Sequence, residues 1–525
     1  MHTPRGAWSL AGLFAGLGGV AASHLVAALL HVRESPVVAV AETVVRLLPT
    51  PVVEWGIEAF GSFDKVVLVV VIVLLLAAVF TWAGRLARRR SWLPAVPYGV
   101  LAGVGAVAVL LRPGATTSVD LAPVAAGLLV WLGLTAALTA PLRRQDAEAA
   151  EAAPGPGGRD DDGEDSVLVE PSRRTFLTAV GAVAVLSVGA ALGGEVLSRT
   201  RRGIERARSL LALDVSRPMP PPAARVEVEG ISPWMTRNGD FYRIDTAFAV
   251  PTIDPADWQL RIHGLVEREV VVDFADLVDQ PLTEAWATLS CVSNEVGGDL
   301  IGNAWWSGVP TRDLLALAGP VDGADAVMQT SEDGWTCATP LEALTDDRPA
   351  MLAVAMNGEP LPVEHGFPVR AVVPGLYGYV SACKWVVDWE VTRFDDVSAY
   401  WTERGWSEEG PVKLGSRIDV PTAGADLDPG DVVVAGVAWR QHTGIAGVQV
   451  SVDGGAWTDA EVASADLPDS WVQWRAVLPA PAAGDHAVRV RAIDADGEVQ
   501  TGAEAAPAPD GATGWHEVDF SVREA

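Results

Sequence analysis

The feature that most constrains this chain is a series of apolar runs before about residue 200, each long enough to cross a bilayer, for which roughly 17–25 residues are needed. They fall at Trp8 to Leu30, Val66 to Trp82, Leu93 to Leu111, Leu121 to Leu142 and Phe176 to Leu197, and they predict five helical spans. Val37 to Phe60 is also apolar. Glu42, Arg46, Glu54, Glu58 and the closely spaced Pro49 and Pro51 interrupt it, so it reads as an interfacial or re-entrant segment. Arginines set the orientation. Arg85, Arg88, Arg89 and Arg90 follow the second span, Arg143 and Arg144 end the fourth, and the positive-inside rule puts both clusters in the cytoplasm. Five spans with a cytoplasmic N-terminus satisfy both clusters. The fifth span then delivers everything beyond residue 200 to the exterior.

Between the fourth and fifth spans, Asp146 to Glu170 is acidic, contains Pro and Gly, and lacks apolar periodicity, which predicts an unstructured linker. It leads into "PSRRTFLTAV". Ser172-Arg173-Arg174-Thr175-Phe176-Leu177 before a Gly/Ala-rich apolar helix resembles a twin-arginine export signal, although two arginines at that place also satisfy the positive-inside rule by themselves. That export route carries proteins already folded, often with a cofactor in place. His24 and His31 have no matching pair on another span and read as structural or interfacial rather than as haem ligands. Glu195, near the end of the fifth span, reads as reaching the interface.

Beyond the last span the composition reverses. The net charge of -29 belongs mostly to this acidic, Trp-rich part, which argues against nucleic acid as a partner. Its three cysteines, Cys291, Cys337 and Cys383, show no CxxC spacing, so neither a disulfide framework nor a zinc site is indicated. From about Val226 to Phe394 short strands and helices mix: "WQLRIHGLV" and "REVVVDFADLV" alternate like strands, and "PTRDLLALAG" reads as a helix with its N-cap near Thr311. This is an α+β pattern. From about Asp431 the period becomes two, with a hairpin in "GVQVSVDGGAWTDAEV", and an immunoglobulin-type β-sandwich is expected.

One cysteine stands out. Cys291 opens a glycine-rich polar loop, followed by Ser293, Asn294, Glu295, Gly297, Gly298 and the pair Trp305-Trp306, and such a loop brings main-chain N–H groups close to a ligand. A thiol in that setting acts as a thiolate, either as a nucleophile, with His365 a possible partner, or as a soft metal ligand. Cys337 reads as a small buried residue.

Two stretches carry a resemblance. "TLSCVSNEVGGDLIGNAWWSGVPTRDLL" and "GEPLPVEHGFPVRAVVPGLYGYVSACKW" are similar, in that order, to the sulfite oxidase family of molybdopterin enzymes, over roughly residues 230 to 420. The resemblance implies that Cys291 gives the one protein thiolate to molybdenum, the other sulfurs coming from the pterin dithiolene. It also implies that His365, Arg370 and Lys384 hold the cofactor, the arginine and lysine suiting its phosphate. "RNGDFYRIDT" resembles a cofactor loop of the family, which makes Tyr242 and Arg243 lining residues, Arg243 beside Cys291 a catalytic candidate, and places Asn238 nearby; Thr330-Ser331 falls where a further hydroxyl contact is expected. Taken singly, Asn238, Thr330 and Ser331 read as ordinary surface or core residues.

The substrate is less plainly written. Where sulfite-oxidising members carry arginines after the cysteine, this chain has Glu295, which is expected to repel a dianion. Their pocket tyrosine has its nearest counterpart in Trp406, with Tyr400 close by. The expected architecture is a four-span membrane domain at 1–144, the linker at 145–171, a signal-anchor span at 172–200, the α+β molybdopterin domain at 215–410 and an immunoglobulin-like dimerisation-type domain at 411–525. The expected activity is two-electron oxygen-atom transfer outside the cytoplasm on a small oxyanion or sulfoxide-type substrate, with a separate electron-transfer partner, membrane lipid around the spans and a possible homodimer. Two other readings are a sulfoxide reductase of the same superfamily and a cofactor-free receptor or scaffold.

Overall fold

A computed structural model describes residues 3–30, 32, 35–48, 52, 64–111, 118–151, 199–247, 250–463 and 465–524. The fifth expected span, the paired arginines at 173 and 174, Glu195 and His31 lie outside the described residues. Contacts divide the chain into two units, Met1–Gly203 with Ala247–Ala249, and Ile204–Thr246 with Val250–Ala525.

The first unit is helical: α1 (Arg5–Leu29), α2 (Pro36–Leu47), α3 (Asp64–Arg89), α4 (Ala95–Leu110) and α5 (Ala122–Glu151). Three stretches, Arg5–Leu29, Val67–Arg89 and Val119–Glu148, are long and apolar enough to cross a membrane, whereas α4, expected as a span, is a shorter apolar helix. Small residues bring α1 against α3: a Cβ at Gly12 would lie 2.2 Å from the Phe80 carbonyl oxygen. Phe80, Tyr98 and Trp131 form a ring cluster, and Trp131 Nε1 donates to the Gly16 carbonyl at 2.8 Å. Leu74, Leu75, Val100 and Leu129 face outward, so the unit has an apolar exterior of the kind a lipid phase would cover. The first residues of the linker expected from Asp146 are helical, and those beyond Glu151 lie outside the described residues. Residues up to Glu151 continue α5, because Asp146 accepts from the Thr3 main-chain N–H at 2.7 Å and lies 3.6 Å from Arg88.

In the second unit, ten strands build two sheets: β1 (Gln259–Gly264), β2 (Val270–Asp273), β3 (Thr283–Ser290), β4 (Ile301–Pro310), β5 (Ala326–Ser331), β6 (Thr336–Pro340), β7 (Met351–Met356), β8 (Glu359–Pro360), β9 (Arg370–Val372) and β10 (Val386–Thr392). One sheet runs β2-β1-β10-β5-β6; the other runs β3-β4-β7-β8, with β9 paired to β7. β3, β4 and β7 are buried almost throughout, and the core they share with the first sheet includes Trp258, Leu260, Leu315, Val354 and Trp389. The helix expected at "PTRDLLALAG" is Thr311–Ala318, preceded by Pro310 with no side-chain cap, and the Thr311 hydroxyl donates instead to the Leu344 carbonyl at 2.6 Å.

Nine further strands follow: β11 (Gly415–Val420), β12 (Ala425–Leu427), β13 (Val432–Trp439), β14 (Ile445–Val452), β15 (Thr458–Asp459), β16 (Glu461–Ala463), β17 (Val472–Leu478), β18 (Gly484–Asp494) and β19 (His516–Val522). They form sheets β11-β13-β17-β16 and β12-β19-β18-β14-β15, which close on one apolar core containing Val434, Trp474, Val490 and Phe520. The hairpin expected at Asp453 is β14-β15, and the positive φ of Asp453 and Gly454 makes its turn.

Candidate functional site

Cys291 leaves the end of β3, and its main-chain N–H donates to the Leu300 carbonyl at 2.9 Å. Asn294 closes the loop from inside, its Oδ1 accepting from the Leu300 N–H at 2.8 Å. The thiol opens on a cavity of about 900 Å³, counted with its mouth. Burial pushes the thiol pKa up, against hydrogen bonds from the Ser293 main chain and hydroxyl, so the thiol stays protonated until a cation or metal draws off the proton.

Three nitrogen-bearing side chains converge across the same cavity. Gly366 makes this possible. It has φ +111°, and a Cβ there would come within 2.9 Å of Arg370 Cβ and 3.3 Å of Lys384 Cβ. His365 Nε2–H donates to the Asn238 carbonyl at 3.1 Å; burial, then Arg370 and Lys384, lower its pKa to about 4, so it is neutral at pH 7. Arg370 is 5 % exposed, donates only to the Ala371 and His365 carbonyls and lies 5.1 Å over the Trp306 ring. Among the described residues no carboxylate pairs with it, and burial lowers its pKa to about 10. Lys384 donates to Asp245 Oδ2 at 2.9 Å and to the Glu364 carbonyl at 3.3 Å; burial lowers its pKa to about 8 despite Asp245.

Tyr242, stacked on Phe241 at 5.2 Å, and Ser331 complete the set of expected residues that line the cavity: Tyr242, Cys291, Ser331, His365, Arg370 and Lys384. Ser331 Oγ is buried and has no hydrogen-bond partner among the described residues. Arg243 does not line it. Its side chain is 43 % exposed and pairs with Asp245 at 2.8 Å. Asn238 also stands behind the cavity, where its Oδ1 accepts from Asn357 at 2.8 Å and its carbonyl orients His365; Thr330 sits in β5 opposite Thr336. Glu295 corrects an expectation. The turn that bonds Gly298 N–H to its carbonyl carries it away from the thiol, into a crevice shared with Lys413 and Gly514. Trp406 lines the cavity, and Tyr400 does not.

Sequence reasoning did not single out Asp245, Asp333, Trp335, Tyr379, Trp385 or Trp401, which also line it. Asp245 had a local signal, standing two residues after Arg243 in a loop already noted. Trp385 closes the second quoted stretch, beside Lys384, whereas Trp335 and Trp401 had no signal in a half of the chain that is Trp-rich throughout. Cys337 and Cys383 are fully buried, as expected for the first, and all three cysteines are free.

Residues 247–401 match the oxidoreductase molybdopterin binding domain. The chain is 34 % identical over 157 residues to the uncharacterized oxidoreductase YuiH of Bacillus subtilis, covering 30 % of this chain and 76 % of that protein. It is 28 % identical over 309 residues to the sulfite oxidase of Gallus gallus, covering 48 % of this chain and 65 % of that one. Against human mitochondrial sulfite oxidase it is 29 % identical over 290 residues, covering 44 % of this chain and 51 % of the relative. The chain thus spans between about half and two thirds of the sulfite oxidases it matches. Among solved structures, the sulfane dehydrogenase SoxCD of Paracoccus pantotrophus aligns with TM-score 0.46 and 27 % identity, over 53 % of this chain and 76 % of that one. The matched domain, with the thiol and the cationic motif residues on one cavity, makes this chain a member of the sulfite oxidase family of molybdopterin-dependent oxidoreductases, and molybdenum bound to molybdopterin is the cofactor that membership implies.

Proposed function

We propose that this protein is a membrane-anchored molybdoenzyme that works outside the cytoplasm and moves one oxygen atom to or from a small substrate: substrate and water in one direction, oxygenated substrate, two electrons and two protons in the other. The observation that carries this reading is the pairing, on one cavity, of the buried Cys291 thiol with a buried arginine that has no carboxylate partner among the described residues. The donor set fits the cofactor. The thiol suits molybdenum, Arg370 and Lys384 suit the terminal phosphate, and the unbonded Ser331 Oγ offers a hydrogen bond to the pterin edge.

When bound, the cofactor supplies the oxygen-atom chemistry and the two-electron change. The chain's own residues orient and shield it. Asn238 fixes which nitrogen of His365 is protonated, leaving Nδ1 as an acceptor. Asp245 holds Lys384 at the cavity edge and pairs with Arg243 behind it. Phe241 and Trp306 keep water from the cationic end.

The positive-inside pattern and the twin-arginine-like motif support an exterior placement, with five spans in a multi-pass membrane protein. The C-terminal sandwich is read as immunoglobulin-like and as the place of a homodimer contact, and a separate electron-transfer partner completes turnover. The test is molybdenum and released pterin per chain in the full-length protein, purified in detergent from a host that makes the cofactor. Close to one of each is expected, and Cys291→Ser should abolish turnover. A folded chain with neither would overturn the catalytic reading.

A further inference from the structure

Away from the cavity, one place in the second unit gathers more negative charge than its own ion pairs neutralise. "LTDDRP" ends the helix Leu341–Thr345 with two adjacent carboxylates, Asp346 and Asp347. The turn between β13 and β14 brings His442 against them, so that one ligand atom from each of the three lies within 4.8 Å of the others. Gly375 permits the approach. It has φ +87°, and a Cβ there would stand 3.2 Å from His442 Cβ and 3.3 Å from Arg348 Nη1.

Two acids and an imidazole at a surface mean little by themselves, and a fourth group sets this place apart. Asp469, in the loop before β17, is 8 % exposed, and its Oδ1 is buried with no hydrogen-bond partner among the described residues. That oxygen lies 3.5 Å from His442 Nδ1, beyond a hydrogen bond of normal length. Burial pushes the Asp469 carboxyl pKa up despite His442 and Arg348. A carboxylate placed behind an imidazole in this way is the outer partner by which metal-ligating histidines are oriented: it accepts the Nδ1–H and leaves Nε2 for a cation. Arg348 does not complete the site. Its main-chain N–H, Nε–H and Nη2–H go to the Asp346 carboxylate at 3.1, 2.9 and 2.7 Å, three donors for four acceptor positions, while Nη1 donates to the Pro374 carbonyl at 2.9 Å. Three carboxylates thus face one guanidinium and an imidazole, an excess that a divalent cation matches.

We propose that Asp346, Asp347 and His442 bind a divalent transition-metal ion of the zinc class, with Asp469 as a positioning residue behind His442, and that the ion ties the sandwich to the α+β domain. An imidazole beside carboxylates suits such an ion better than calcium, which takes oxygen ligands throughout. The tie lies next to the strand that leads to Cys291. Gln441 Nε2 donates to the Thr288 carbonyl at 3.1 Å, and the Thr288 N–H donates to the Asp469 carbonyl at 2.9 Å, three residues before the cysteine.

The test is isothermal titration with zinc chloride of the full chain in detergent, made without a histidine tag and stripped of divalent metal by chelation. One saturable site is expected. Asp347→Asn and His442→Asn should each raise the zinc Kd at least about tenfold, asparagine being chosen because it tolerates the φ of +69° at His442. Asp469→Asn should raise it roughly 10–100-fold with the zinc-free unfolding midpoint unlowered, the effect of a group that orients a ligand rather than holding the fold. Saturating zinc should raise the unfolding midpoint of the parent and leave that of Asp347→Asn where it was, because an ion bound only by the folded chain stabilises it. None of these readouts depends on the cofactor. No saturable zinc binding, a Kd unchanged in Asp347→Asn and His442→Asn, or calcium bound there more tightly than zinc would overturn the proposal, and a parent-like Kd in Asp469→Asn would overturn the role given to Asp469.

Discussion

A guanidinium buried to 5 % exposure, with main-chain carbonyls and the Trp306 ring around it and no carboxylate partner among the described residues, costs stability until an anion reaches it. Arg370 should therefore oppose folding of the cofactor-free chain and favour retention of the cofactor. Arg370→Met is expected to stabilise the cofactor-free protein by roughly 1–4 kcal/mol, the scale found when a buried charge gives way to an apolar side chain of similar volume. The same change should cut bound pterin at least about tenfold. Thermal unfolding without cofactor and fluorescence of released pterin measure the two effects, and a destabilised variant with full pterin content would contradict both. Arg370 could be found from "HGFPVR" because the motif is local. Its neighbour in charge, the Asp245 carboxylate on Lys384, could not, since 139 residues separate the two.

At the level of elements, the sandwich holds the loop that carries Cys291. Arg417 on β11 donates to the Gly298 carbonyl at 2.7 Å and to Ser232 Oγ at 2.8 Å, and pairs with Asp419 at 2.7 Å. His516 on β19 packs so closely on Gly297 that a Cβ there would lie 2.4 Å from its ring. The loop that carries Cys291 is thus shaped by strands more than a hundred residues later. Arg417→Ala removes the guanidinium from the half-buried Asp419, which keeps the Ser232 N–H at 2.9 Å, and should cost roughly 1–3 kcal/mol. It should also lower molybdenum per chain, with Arg417→Lys recovering part of both; urea unfolding and metal analysis give the answer, and unchanged metal content would show that the clamp does not act on Cys291. Alternation in sequence revealed which faces of these strands are buried. It did not reveal that β11 and β19 reach the cysteine loop, because an inward or outward side chain does not say which element lies against it.

For the whole molecule, the question is where the acidic half works. If the paired arginines direct export of a folded, cofactor-loaded domain, then Arg173→Lys with Arg174→Lys should leave that half in the cytoplasm. Protease added to intact spheroplasts should digest the region beyond Asp214 in the parent and spare it in the double variant. Equal digestion of both would leave the arginines with only the positive-inside role. Of the five expected spans, four appear as helices, one of them short for a crossing, while the fifth falls outside the described residues.

The sequence by itself determined the helical nature of the four described apolar runs, the family and the cofactor it implies, because each is written in contiguous residues: uninterrupted apolar stretches, a cysteine at the head of a glycine-rich loop, and a histidine, arginine and lysine within one motif. Only the tertiary structure decided which side chains share the cavity. It turned Glu295 away from the thiol, set Arg243 outside the lining, laid Arg404 over the Tyr400 ring and brought Trp335, Tyr379, Trp401 and Trp406 to one cavity from three stretches of the chain. The physical reason is common to all four. Strand pairing and loop closure bring together residues far apart in sequence, and burial then fixes their orientation against charges and rings that no local pattern records.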